Sequence, residues 1–135
     1  SEETEAKALL LLGTPEEGDF LYEPNAAIMK SGGYKTITLQ YNVAKIHKNS
    51  HLYISKEKIE NFPGRRFQIF QIIDNFSKIN LKKMLPQKSY NLTVRNFPES
   101  ADNLKKNLKI RDGGNDYLFA TTVEPEKHLL LCCRK

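Results

Sequence analysis

The sequence predicts an α+β protein made of two small units, and three observations carry that reading. The first is composition: 135 residues at 39% hydrophobic and 27% charged are enough for one domain or two very small ones. The second is a charge break. Residues 1–62 hold seven Lys/Arg against nine Asp/Glu, a balance of −2, whereas residues 63–135 hold fourteen against seven, a balance of +7. The change coincides with Phe62-Pro63-Gly64, which interrupts regular structure, so the boundary is placed near residue 63. The third is the order of patterns after that break, which reads β-α-β-α-β-β.

The acidic start SEETEAK is not a signal peptide, and no apolar run approaches the ~20 residues of a membrane span. The chain begins with Ser rather than Met and is expected to be a piece of a longer protein or a processed chain. Ala6 to Leu12 is a short apolar run that suits a buried strand or a helical turn. Gly13 to Gly18 is a loop by composition. The carboxylates Glu16, Glu17, Asp19 and Glu23 flank an aromatic segment and are read as solvated. From Phe20 onward the pattern reads helical, with Pro24 in the first turn, where its missing N–H costs nothing. Ser31-Gly32-Gly33 interrupts it as a kink or a close approach, and a second helical piece runs from Tyr34 to about Tyr41, with Ile37 and Tyr41 on one face. Lys45–His47 and His51–Ser55 read as two short strands around Lys48-Asn49-Ser50, and Ser55 as the cap of a short helix, Lys56–Asn61.

In the second unit, Arg65–Asp74 sets Phe67, Ile69, Gln71 and Ile73 against Gln68, Phe70 and Ile72. Both faces are partly apolar, which predicts a central strand. A helix follows from Ser77 to Leu85, stopped by Pro86. Tyr90–Arg95 alternates as a half-buried strand. Ser100 caps a helix whose apolar stripe is Ala101, Leu104 and Leu108, and Asp112-Gly113-Gly114 is expected to stop it. Asp116–Val123 is a strand, Glu124-Pro125-Glu126 a turn, and His128–Arg134 an antiparallel return buried on both faces. Cys132 and Cys133 are neighbours facing opposite sides, so they make no disulfide framework, and a reduced, cytoplasmic setting is expected.

The chemistry-bearing motifs are few. GxGxxG and GxxxxGK[ST] are both missing, so no phosphate-cradling glycine loop of those kinds is expected. His47, His51 and His128 lack the spacing of a metal site, although His47 and His51 could converge across their turn. The stronger signal is cationic: Arg65, Arg66, Lys82, Lys83, Arg95, Lys105, Lys106, Lys109 and Arg111. Phosphate contact needs only positive charge on a common face. Lys105, Lys106 and Lys109 point away from the apolar stripe, and Arg95 and Arg111 bracket the helix. Lysine is a point charge without the fork that reads a base edge, so backbone contact, salt-sensitive and shape-dependent, is expected. Tyr90 and Tyr117 offer stacking surfaces, although strand tyrosines more often serve packing. The competing reading is a solvated basic surface.

The stretches FLYEPNAAIMKSGGY, HLYISKEKIENFPGRRFQI, LTVRNFPESADNLKKNLKIRDGGNDYLFAT and LLLCCRK resemble the C-terminal region of a bacterial class I S-adenosylmethionine-dependent methyltransferase family, over roughly residues 18–135. That region consists of a ferredoxin-like segment followed by a THUMP-like domain. The resemblance implies residues 1–62 as the first and residues 63–135 as the second. It implies a non-catalytic accessory region that presents tRNA or rRNA to a catalytic domain of the same parent chain; the charge pattern gives Arg65, Arg66, Arg95, Lys105, Lys106, Lys109 and Arg111 as the expected RNA-contacting set. S-adenosylmethionine is then expected in the parent and no cofactor in this fragment. The alternative is a structural module that docks on the catalytic domain or dimerises without touching RNA, which the apolar FLYEPNAAIM segment would suit.

Overall fold

A computed structural model describes residues 11–135. Most of the apolar run Ala6–Leu12 lies outside the described residues. The strands are β1 (Phe20–Pro24), β2 (Ala44–Lys45), β3 (Tyr53–Ser55), β4 (Gly64–Ile73), β5 (Asn91–Arg95), β6 (Tyr117–Val123) and β7 (Lys127–Arg134). The helices are α1 (Ala26–Ser31), α2 (Ile37–Gln40), α3 (Lys78–Met84) and α4 (Ala101–Leu108), with a 3₁₀ turn at Gly33–Thr36. The strands form one sheet in the order β2-β3-β1-β4-β7-β6-β5. All neighbours are antiparallel except β5 and β6, which are parallel and joined through α4. The architecture is α+β, and the β-α-β-α-β-β order of the second half is as expected. The sheet itself runs without interruption from β1 to β4, across the break in charge.

Two edges of this sheet meet. The turn after β2 is tied to the β6–β7 turn: the Glu124 N–H donates to the Ile46 carbonyl (3.0 Å), and Ser50 Oγ donates to the Thr122 carbonyl (2.6 Å). Asn96, after β5, donates to Ser50 Oγ (3.2 Å). The sheet therefore curls about Leu21, Ile46, Leu52, Phe67, Phe119 and Leu131, a buried apolar cluster on its concave face. The convex face is covered by α3 and α4 over Ile73, Leu104, Leu118, Leu130 and Cys132. Beside it, Tyr22, Ile37, Tyr53 and Phe62 hold the 3₁₀ turn and α2 against β1 and β3. Cys133 belongs to the concave cluster and Cys132 to the convex one, as neighbours on a strand must. Both thiols are free; burial pushes Cys132 up to about 11 and Cys133 well above its ordinary value.

Several expectations change. Phe20–Pro24 is a strand, because Leu21 and Tyr22 each have an apolar cluster to enter on opposite faces; Asn25 caps α1, and Pro24 closes the strand. Lys56–Asn61 is a run of turns, because Ser55 Oγ donates to the Glu57 carbonyl (2.6 Å) and pairs with the Tyr22 hydroxyl (2.7 Å) instead of capping a helix. The single-face reading of Phe67, Ile69, Gln71 and Ile73 fails. A bulge between Ile69 and Gln71 shifts the phase by one residue, so Ile69 enters the concave core and Ile73 the convex one. Helix α4 keeps its Ser100 cap and Leu104–Leu108 stripe, but Lys109, in the left-handed conformation at φ 56°, ends it before the glycines. Asp19 and Glu23 are buried, not solvated.

Candidate nucleic-acid interface

The basic residues divide between the two faces of the sheet. On β5, Leu92 and Val94 pack into the convex core, which turns Arg95 to the concave side. On β1, the same alternation sends Leu21 and Glu23 to that side. The curl brings them together. Glu23 Oε2 accepts from Arg95 Nη2 at 2.7 Å, and Oε1 accepts from Arg65 Nε at 2.7 Å. The Glu23 side chain is 10% exposed, while the two arginines are 45% and 43% exposed. Arg95 and Arg65 are thus drawn to one buried carboxylate, and neither belongs to the α4 surface. Gly64 makes this possible: a Cβ there would overlap the Glu23 carbonyl, so only glycine lets β1 and β4 approach so closely.

Arg65 also lies over aromatic rings, its Cζ 5.1 Å from the Phe67 centroid and 6.0 Å from that of Tyr117. Beside it, Lys135 Nζ sits 5.6 Å from the Tyr117 centroid. Tyr117 therefore carries cations on its ring, while Tyr90 is buried in the convex core. These groups border a recess of about 490 Å³ lined by Lys58, Arg65, Arg66 and Lys135 together with Phe20 and Phe67. Arg66 Nη1 donates to the Ile59 carbonyl (3.1 Å) and lies 3.6 Å from Glu60, whose side chain is 77% exposed.

On the convex side, Lys105 is committed. Its Nζ donates to Asp112 Oδ2 at 2.8 Å and lies 3.6 Å from Asp102; that hydrogen bond raises the lysine pKa and lowers that of Asp112. Lys106, Lys109 and Arg111 are exposed and make no ion pair among the described residues. On α3, Lys82 and Lys83 are exposed as well. The structure thus leaves Lys106, Lys109 and Arg111 exposed in one short stretch at and just after the end of α4, and brings Arg65 and Arg66 together with Lys58 and Lys135 at the start of β4. Lys58 and Lys135 had no signal in the sequence: only the sheet order places them beside Arg65. Glu23 had one, its period-2 relation to Leu21.

The histidines do not converge. His47 is buried with Nε2 at 2.7 Å from Glu126, His51 stacks edge-on against Tyr34, and His128 pairs with Thr122. Among the described residues no group of three or more His, Cys, Asp or Glu could hold a metal ion, and no helix is long and apolar enough to cross a membrane. The turn from β5 into α4 is not a glycine-rich cofactor loop. It is Asn96-Phe97-Pro98-Glu99-Ser100, without glycine, and its Ser100 side chain already takes the Asn103 N–H that an anion would need.

Residues 64–135, the half that carries α4 and most of the lining of this recess, match the THUMP domain-like family. The chain belongs to that family. Ahead of its THUMP-like part, residues 20–63 match a ferredoxin-like domain. The THUMP-like chain is also similar to a crystal structure of a "putative methyltransferase from Porphyromonas gingivalis W83", with 36% identity and a TM-score of 0.79. That similarity covers 96% of this chain and 33% of the other, so the chain spans about a third of the solved protein it matches. No curated protein matches it.

Proposed function

We propose that this chain is the non-catalytic RNA-binding accessory region of an S-adenosylmethionine-dependent RNA methyltransferase, presenting tRNA or rRNA to a catalytic domain of the same parent chain in the cytoplasm. The carrying observation is the unneutralised group Lys106, Lys109 and Arg111 at the exposed end of α4. Three exposed cations without carboxylate partners in one short stretch of chain suit phosphates spaced along a backbone. Family membership and the methyltransferase neighbour support the same reading. The cofactor would be held by the catalytic domain. Lys105 and Arg95 serve the fold in this account, through Asp112 and Glu23.

The docking alternative draws on exposed apolar side chains: Leu39 on α2 is 44% exposed, and Ile79 on α3 is 85% exposed, with Phe76 37% exposed nearby in sequence. Fluorescence anisotropy with labelled tRNA decides between the two. The parent chain should bind, and Lys106→Glu/Lys109→Glu should bind at least about tenfold more weakly at low salt while keeping its circular dichroism spectrum. Equal binding by the double variant, or none by the parent, would leave this end of α4 as a solvated surface.

A further inference from the structure

We propose that the recess at the start of β4 is a second RNA contact, a phosphodiester site for a single-stranded segment, anchored by Arg65. This rests on the RNA reading above and extends it to the concave side. The recess exists because β4 outruns β7. Strand β4 pairs with β1 from Gln68 back to Gly64, but with β7 only as far as Gln68, opposite Arg134. Beyond that point the sheet has a notch beside Gly64–Phe67.

The notch is cationic for want of carboxylates. Lys58, Arg65, Arg66 and Lys135 line it, and no acidic residue does. The nearby carboxylates are Glu23, shared between Arg65 and Arg95, and Glu60, shared between Arg66 and Lys58 at 3.6 and 3.8 Å. Five cations against two carboxylates leave a side-chain charge of +3. Glu60 is 77% exposed, so water screens most of what it offsets.

Arg65 is pre-organised for an anion. Glu23 fixes its Nε, and Phe67 and Tyr117 support its guanidinium plane. Its two Nη groups have no partner among the described residues. That is the end of the fork that binds phosphate oxygens. Lys135 shares the Tyr117 ring, and two cations on one ring gain from an anion between them. At about 490 Å³ the recess is larger than a phosphate and accommodates a nucleotide, whose base has the half-buried edges of Phe20 and Tyr117 within the same surroundings. A flexible single strand can set both a phosphate and a base into such a notch, whereas the bases of a duplex are stacked and paired away from it.

The test uses a labelled single-stranded oligouridylate of about 12 nucleotides. Lys58→Gln/Lys135→Gln removes two exposed cations without touching the core. Each cation on a phosphate adds about 0.7 to the log–log salt slope, so the parent's affinity should fall about sevenfold more than the variant's between ~50 and ~200 mM salt. Arg65→Lys, which keeps the charge but not the fork, should also weaken binding. If Lys58→Gln/Lys135→Gln shows the parent's slope while the Lys106/Lys109 variant loses tRNA, the notch assignment falls and the RNA reading stands. If the parent binds neither RNA, both fall. If inorganic phosphate, at matched ionic strength, displaces the oligonucleotide at low millimolar concentration, the notch is a free-phosphate site and the polynucleotide assignment is wrong.

Discussion

Glu23→Gln is the sharpest probe of how the two halves of this sheet are held together. Glu23 receives one hydrogen bond at 2.7 Å from Arg65 and another at 2.7 Å from Arg95, linking β1 to the far strand β5. A hydrogen bond to a charged group is worth about 1.5–3 kcal/mol, but both arginines are nearly half exposed, which reduces each to about 1 kcal/mol. Glutamine keeps one acceptor. It loses the other bond and turns an N–H₂ group toward a guanidinium, leaving a largely buried donor unpaired at a cost of about 1 kcal/mol more. The expected loss is about 2 kcal/mol, which lowers Tm by roughly 6–10 °C in a chain of this size. Urea denaturation at pH 7 measures it. A double-mutant cycle with Arg95→Gln should return a coupling of about 1 kcal/mol. If Glu23→Gln unfolds within about 0.5 kcal/mol of the parent, the carboxylate is not a clamp, and the argument that it pre-orients Arg65 fails with it.

Other consequences are checked more directly. Gly64→Ala sets a methyl group against the Glu23 carbonyl, so β1 and β4 must separate; a loss of about 3 kcal/mol or more is expected by the same denaturation assay, and a neutral variant would refute the close approach. Burial, and then the charge of Lys45, hold His51 down at about 4 from an ordinary 6.5. The unfolded chain therefore takes up a proton through a window in which the folded chain does not, and stability should fall by about 2 kcal/mol from pH 7 to pH 5, levelling off below about pH 4. His51→Asn accepts the left-handed backbone at φ 52° and removes the titration, so its stability should be flatter across that window. An unchanged pH profile would show that His51 is not the group responsible. Burial likewise brings Lys45 down to about 8. Lys45 then loses its proton on folding between about pH 8 and 10.5, so stability should rise with pH there, and Lys45→Met should abolish that rise.

Much of the second half is legible in the residues, for a local reason. Ser77 and Ser100 cap their helices with their own side chains, Leu104 and Leu108 share a helical face, and Leu118, Phe119, Ala120 and Val123 place apolar side chains on both sides as an interior strand requires. The family resemblance spans both halves, and the matches at residues 20–63 and 64–135 agree with its order of domains. The first half is less legible because its elements are short and depend on distant partners. Phe20–Pro24 is a strand only because β3 and β4 flank it, and Ser55 leaves its expected cap because the Tyr22 hydroxyl is within reach.

The candidate interface separates along the same line. Sequence by itself determined that the charge is concentrated after residue 63 and that Lys106 lies off the apolar stripe of its helix, since both follow from composition and a 3.6-residue period; Lys109 falls just past that period, in the left-handed cap. The tertiary structure decided which cations remain available. Whether a lysine or arginine is free depends on the nearest carboxylate in space, and Glu23 is 72 residues from Arg95 along the chain. The curl of the sheet turns that separation into a 2.7 Å hydrogen bond, and the shortfall of β7 against β4 sets Lys58 and Lys135 beside Arg65. Neither distance is written in any local pattern, because each is fixed by the order and length of strands that pair far apart in sequence.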